Sequence, residues 1–145
     1  MKKSAGALLG AMFMLNGALW AMSGEQLFDA KCNACHIKER PTPQMRSQLV
    51  APPAMGVMSH VKSAFENDRA AAIAFIKEYV INPDEAKAKC MPQSLRRFGV
   101  MPSQKGNVTE AELEVIADYL YDNFPPAGFR HGPGGMQGAN AQSGS

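Results

Sequence analysis

Cys32 and Cys35 are separated by two residues, and His36 follows the second thiol directly. Two thiols and an imidazole at this spacing have three chemistries open to them. They can supply half of a zinc site, act as a redox dithiol, or attach a haem by adding to two vinyl groups on one edge of the ring. Zinc needs a second ligand pair. Cys90 is the one other thiol of the chain, and His60 and His131 are its two other histidines. A redox dithiol belongs on a strand–helix–strand pattern, and no convincing strand pattern occurs. The haem reading survives: Cys32 and Cys35 attach one haem c covalently, and His36 is placed under the iron as proximal ligand. Covalent attachment keeps the cofactor in a domain too small to enclose it.

A haem that carries electrons needs a sixth ligand, and a thioether opposite His raises its potential. Met101-Pro102 is the leading candidate. It follows a loop, precedes the last helix by a short connection, and has its backbone stiffened by proline. Met91-Pro92 is the same dipeptide and competes with it. Met55, Met58 and His60 are weaker candidates. With 10 methionines in the chain, several must be core filler. Arg96 and Arg97 can pair with haem propionates; a solvated basic turn is the plainer reading.

The first residues read as an export signal. Lys2 and Lys3 precede an apolar stretch from Ala5 to Leu15, broken by Asn16 and Gly17 and followed by small residues. A cut near Ala21 makes residues 1–21 a signal peptide and places the mature protein in a periplasm. The stretch is short and rich in Ala and Gly, against the roughly 20 apolar residues of a stable membrane span; an uncleaved anchor is the alternative. Removing two lysines leaves 13 basic residues (15 − 2) against 13 acidic ones. No basic run offers itself to nucleic acid. Cys90 is then odd in an oxidising compartment: a buried, inert thiol is the first reading and a dimer through Cys90 the second.

The elements around the site read as helices throughout. Ser23 and Gln26 form a capping box opening a helix over 24–31, which leads straight into Cys32. Residues 37–60, with Pro41, Pro43, Pro52, Pro53 and Gly56, read as loop. Asn67 or Asp68 caps a helix over 69–81. A short helix is expected over 83–89, started by Asn82 and Pro83, and one further turn over 94–98, ended by Gly99. Thr109 and Glu112 form a second capping box. Leu113, Ile116, Ala117, Leu120, Tyr121 and Phe124 then line one face of a last helix, stopped by Pro125-Pro126. His60 and His131 read as surface or loop residues. Residues 127–145, rich in Gly, Ser, Gln and Asn, read as a disordered tail after a domain over 22–126.

Taken in order, these features resemble the class I c-type cytochrome family over about residues 23–125. Gly24 and Phe28 look like its Gly and aromatic pair where the terminal helices cross, and Ile116 and Tyr119 like their partners on the last helix. Pro52 and Gly56 look like the Pro-x-x-x-Gly turn whose proline carbonyl accepts the proximal imidazole's Nδ1 proton; Pro53 is an alternative. Gly99-Val100-Met101-Pro102 resembles its distal Met segment. The resemblance implies an all-α fold, with first and last helices crossing near right angles over the haem. It also implies His/Met ligation and outer-sphere electron transfer at an exposed haem edge. The expected function is electron transfer by transient contact with redox partner proteins, without enzyme activity, since the Met-Pro signal argues against the open iron site that catalysis needs. The long loop after His36, the segment around Cys90 and the Gly-rich tail depart from the family pattern. A haem subunit of a periplasmic oxidoreductase and a haem-based ligand sensor are the rival functions.

Overall fold

A computed structural model describes residues 21–131. Residues 1–20 of the expected signal and 132–145 of the expected tail lie outside the described residues. Six helices follow one another in the described chain: α1 (Gly24–Lys31), α2 (Pro43–Arg46), α3 (Ala54–Ala64), α4 (Arg69–Ile81), α5 (Pro92–Phe98) and α6 (Glu110–Asn123). An isolated bridge between Lys105 and Val108 is the extended pairing among the described residues. The class is all-α, as expected. None of the described helices is long and apolar enough to cross a membrane.

Both capping boxes form. Ser23 Oγ accepts from the Gln26 backbone N–H at 3.2 Å, and Gln26 Oε1 accepts from the Ser23 N–H at 2.8 Å. Thr109 and Glu112 exchange the corresponding bonds at 3.2 and 2.8 Å. These bonds satisfy donors that every helix N-terminus leaves open. Asp68 is the cap of α4, its carboxylate accepting from the Ala71 N–H at 3.0 Å.

The terminal helices pack on each other because α1 presents no side chain at their closest approach. A Cβ built on Gly24 would lie 2.5 Å from Tyr119 Cβ and 2.7 Å from the Val115 carbonyl oxygen. On the same two helices, Phe28 is 1% exposed and Ile116 2%. The rings of Phe28, Tyr119 and Phe124 form a triangle with centroids 5.8–6.4 Å apart. Burying a side chain of this size contributes about 1.5–3 kcal/mol. The core continues through Met55, Met58 and Val61 of α3 and Ala72, Ile73 and Ile76 of α4. Ion pairs fasten the rim of the α4–α6 contact: Arg69 to Asp118 and Asp122 at 2.8 and 3.2 Å, and Lys77 to Glu114.

Four local expectations are corrected. Residues 37–60 are not all loop, since they hold α2 and most of α3. Met55, Met58 and Val61, three apart, supply α3 with a buried stripe. The prolines mark its start, with Pro53 as N-cap. Residues 83–89 form a turn rather than a helix. Asp84 Oδ1 takes the Ala86 N–H at 2.8 Å, and no apolar stripe pulls the segment onto the core. Residues 127–131, which composition assigns to the tail, pack against the domain. Phe129 packs on the core edge with Arg40 over its ring, and His131 stacks on His60 with centroids 4.6 Å apart. His60 is therefore a half-buried helical residue of α3 rather than a loop residue.

Candidate haem site

The end of α1 sets the geometry of the thiol pair. Cys32 closes the helix, its N–H donating to the Phe28 carbonyl at 2.8 Å. The chain then turns tightly. The N–H groups of Cys35 and His36 both donate to the Cys32 carbonyl, at 3.1 and 2.9 Å. This turn folds the two thiols and the imidazole over the end of one helix. Cys32 is half-buried against the hydrophobic core, and Cys35 is exposed. Burial pushes the Cys32 thiol up to about 11; Lys31 opposes the rise and Cys35 adds to it. A dithiol built for thiol–disulfide exchange needs the opposite, a thiolate at neutral pH.

His36 is oriented by the chain that returns to start α3. Its Nδ1 lies 2.8 Å from the Pro52 carbonyl oxygen. A carbonyl only accepts, so Nδ1 carries the proton and Nε2 presents its lone pair. Burial lowers the imidazole pKa and the bond to Pro52 partly restores it, which keeps the ring neutral. The choice of Pro52 over Pro53 has a local cause. The Pro53 carbonyl already accepts from the N–H groups of Gly56 and Val57 in the first turn of α3, at 3.0 and 3.1 Å.

The donor set fits a covalently held haem. Two thiols on one turn match two points on one macrocycle edge, and a neutral imidazole with its Nδ1 proton engaged matches an iron ligand. Asn33, between the thiols, has a buried side-chain oxygen with no hydrogen-bond partner among the described residues. No group of three or more His, Cys, Asp and Glu side chains gathers into an ion-binding cluster among those residues.

The four candidate methionines fall into two groups. Met58 is fully buried and Met55 nearly so, both inside the core. Met91 and Met101 are half-buried in the segments flanking α5. Met91 is the N-cap residue of α5, and its sulfur accepts from the Gln93 side-chain amide at 3.7 Å. Met101 lies past Gly99, which ends α5 with φ +71°. The chain beyond it is pinned to the end of α4: the Gln104 N–H donates to the Val80 carbonyl at 2.9 Å, and the Ser103 hydroxyl to the Ile81 carbonyl. Arg97 donates to the Arg46 carbonyl and lies over the Phe98 ring, so its guanidinium joins α5 to α2. Cys90 is a half-buried thiol whose pKa burial raises. Lys38 was not singled out by sequence. It ion-pairs with Glu25 and Asp29 of α1, and its only sequence signal was the i, i+4 spacing of those two acids.

An all-α domain, closed by its first and last helices and carrying a CxxCH turn at the end of the first, defines a small c-type cytochrome domain. Residues 20–120 match the family described as cytochrome C oxidase, cbb3-type, subunit III, and the chain belongs to that family. Membership brings a covalently bound haem c and haem-based electron transfer. The chain is also 35% identical over 113 residues to a protein of Aquifex aeolicus (strain VF5) described as uncharacterized, covering 70% of this chain and 73% of that one. No solved structure matches.

Proposed function

We propose that this protein is an exported, monohaem electron carrier of the periplasm. Cys32 and Cys35 hold the haem, with His36 and Met101 as its axial ligands. Bound there, the haem supplies a single-electron couple. The chain's residues provide the rest: a turn that fixes both attachment points, a neutral imidazole aimed by Pro52, and an apolar core that limits water around the site. The observation that carries the reading is the 2.8 Å contact of His36 Nδ1 with the Pro52 carbonyl, which leaves Nε2 as the free donor beside the thiol pair.

Met101 is favoured over Met91 because the Met91 sulfur is engaged by Gln93, whereas Met101 sits on an irregular segment between the end of α5 and the tethers at Ser103 and Gln104. The test is the absorption spectrum of both redox states for wild type, Met101→Ala and Met91→Ala. Wild type and Met91→Ala show the weak Met-to-ferric-iron charge-transfer band, and Met101→Ala lacks it. A band that persists in Met101→Ala and disappears in Met91→Ala reverses the assignment.

The family description favours one second reading, a haem subunit held in a larger oxidase rather than a free carrier. Native size in a cell extract separates the two. A carrier migrates at monomer size in the soluble fraction, and a subunit co-migrates with oxidase activity.

A further inference from the structure

The chain leaves the thiol turn at His36 and returns at Ala54 to start α3. Three tethers hold the ends of that excursion. The His36 Nδ1–H donates to the Pro52 carbonyl at 2.8 Å. The Ala54 N–H donates to the Ile37 carbonyl at 3.0 Å. Lys38 Nζ reaches back to α1, 2.9 Å from Glu25 Oε1 and 2.8 Å from Asp29 Oδ1. The first two tethers join the ends of the excursion to each other. The third joins it to α1, the helix whose last turn leads into Cys32.

Lys38 is built unlike an ordinary surface lysine. Its side chain is 18% exposed, although its partners are 60% and 43% exposed. Glu25 and Asp29 are four apart and so share one face of α1. The stem lies along that face, with two carboxylates fixing its end. A single exposed pair is readily lost to solvent; one ammonium shared by two carboxylates on a rigid helix has fewer alternative geometries.

We propose that Lys38 is a positioning residue for the proximal imidazole: its clamp onto Glu25 and Asp29 fixes residues 36–38 against α1 and so sets the angle at which His36 meets the iron. This rests on the reading of His36 as the proximal ligand. A group that orients a ligand from outside the coordination sphere tunes the metal by geometry. A lysine acting through its charge alone would behave differently, and the two effects differ in sign.

The experiment uses the haem-loaded protein and compares Lys38→Met, the double variant Glu25→Gln/Asp29→Asn, and Lys38→Arg. Reduction potential and the g-anisotropy of the ferric EPR spectrum are read for each. Both clamp-breaking variants are expected to move the potential in the same direction and to change the EPR signature alike. A threefold change in the electron-exchange equilibrium with a reference couple is expected, about 28 mV at 59 mV per tenfold. Lys38→Arg, which keeps the cation and both acceptors, returns both readouts towards wild type. Opposite shifts, lower for Lys38→Met and higher for the acid double variant, mean a plain charge effect and overturn the proposal. Unchanged readouts overturn it as well. If Lys38→Met does not mature, the EPR signature of the acid double variant decides alone: altered supports the clamp, unaltered sinks it. His36→Ala separates this from the underlying reading. If it keeps the wild-type low-spin spectrum, His36 is not the ligand and both fall. If it loses that spectrum while the clamp variants stay silent, only the role of Lys38 falls.

Discussion

Replacing Gly24 by alanine tests the packing that closes the domain. The added Cβ would meet Tyr119 Cβ at 2.5 Å and the Val115 carbonyl oxygen at 2.7 Å, whereas ordinary contact begins near 3.4 Å. The helices must therefore separate by about 0.9 Å where they meet, which loosens the packing of the buried Phe28 against Tyr119. Overpacking of this kind costs about 1–3 kcal/mol. Better helix propensity offsets up to about 1 kcal/mol of that, less at the first position of a helix. A net loss of about 1–2 kcal/mol remains. For a domain of roughly 100 residues this corresponds to a fall in Tm on the order of 5–15 °C. The assay is thermal unfolding of the haem-loaded protein followed by far-UV circular dichroism. Tyr119→Ala should not rescue the variant, because both clashing atoms remain in an alanine background. An unchanged or higher Tm for Gly24→Ala would mean that the helices do not depend on a bare backbone at Gly24. Rescue by Tyr119→Ala would locate the conflict in the ring rather than in the helix backbones.

Other predictions concern the imidazole stack and the distal ligand. Burial, and secondarily His131, lowers the His60 pKa in the folded state below its unfolded value of 6.5. The unfolded chain therefore binds more protons below that value, and stability is lost as pH falls through about 6.5 and levels off below the folded pKa. Urea midpoints at pH 7.5 and 5.5 should fall further for wild type than for His60→Gln; equal losses would show that His60 does not contribute. With Met101 on the iron, reduced wild type binds no carbon monoxide at neutral pH and Met101→Ala binds it. Ready binding by wild type would favour a ligand sensor or an enzyme.

The ends of the fold were legible in the sequence because local chemistry and packing agree there. Ser23 with Gln26, Asp68, and Thr109 with Glu112 open α1, α4 and α6 where their side chains predict. The middle was harder to read. Pro52, Pro53 and Gly56 look like loop residues, yet the prolines precede α3 and Gly56 sits inside it, while Met55, Met58 and Val61 face the core. Pro83-Asp84-Glu85 has every start signal of a helix, but Asp84 closes a local turn and nothing apolar follows to bury. The same limits hold at the site. The thiol spacing and the candidate prolines are sequence features. The choice of Pro52 depends on Pro53 being consumed by the start of α3. The clamp by Lys38 depends on how the chain returns past α1, and Phe129 and His131 pack from a segment whose composition suggests nothing to bury.

The central claim is that Cys32 and Cys35 attach one haem beside His36. It is tested most directly by mass spectrometry of the denatured, acid-extracted protein from cells that mature c-type cytochromes. The expected result is the mass of the polypeptide plus one haem, and loss of that covalent haem when Cys32 and Cys35 are both replaced by serine. A haem that extracts freely from wild type, or one that stays attached in the double variant, would contradict it.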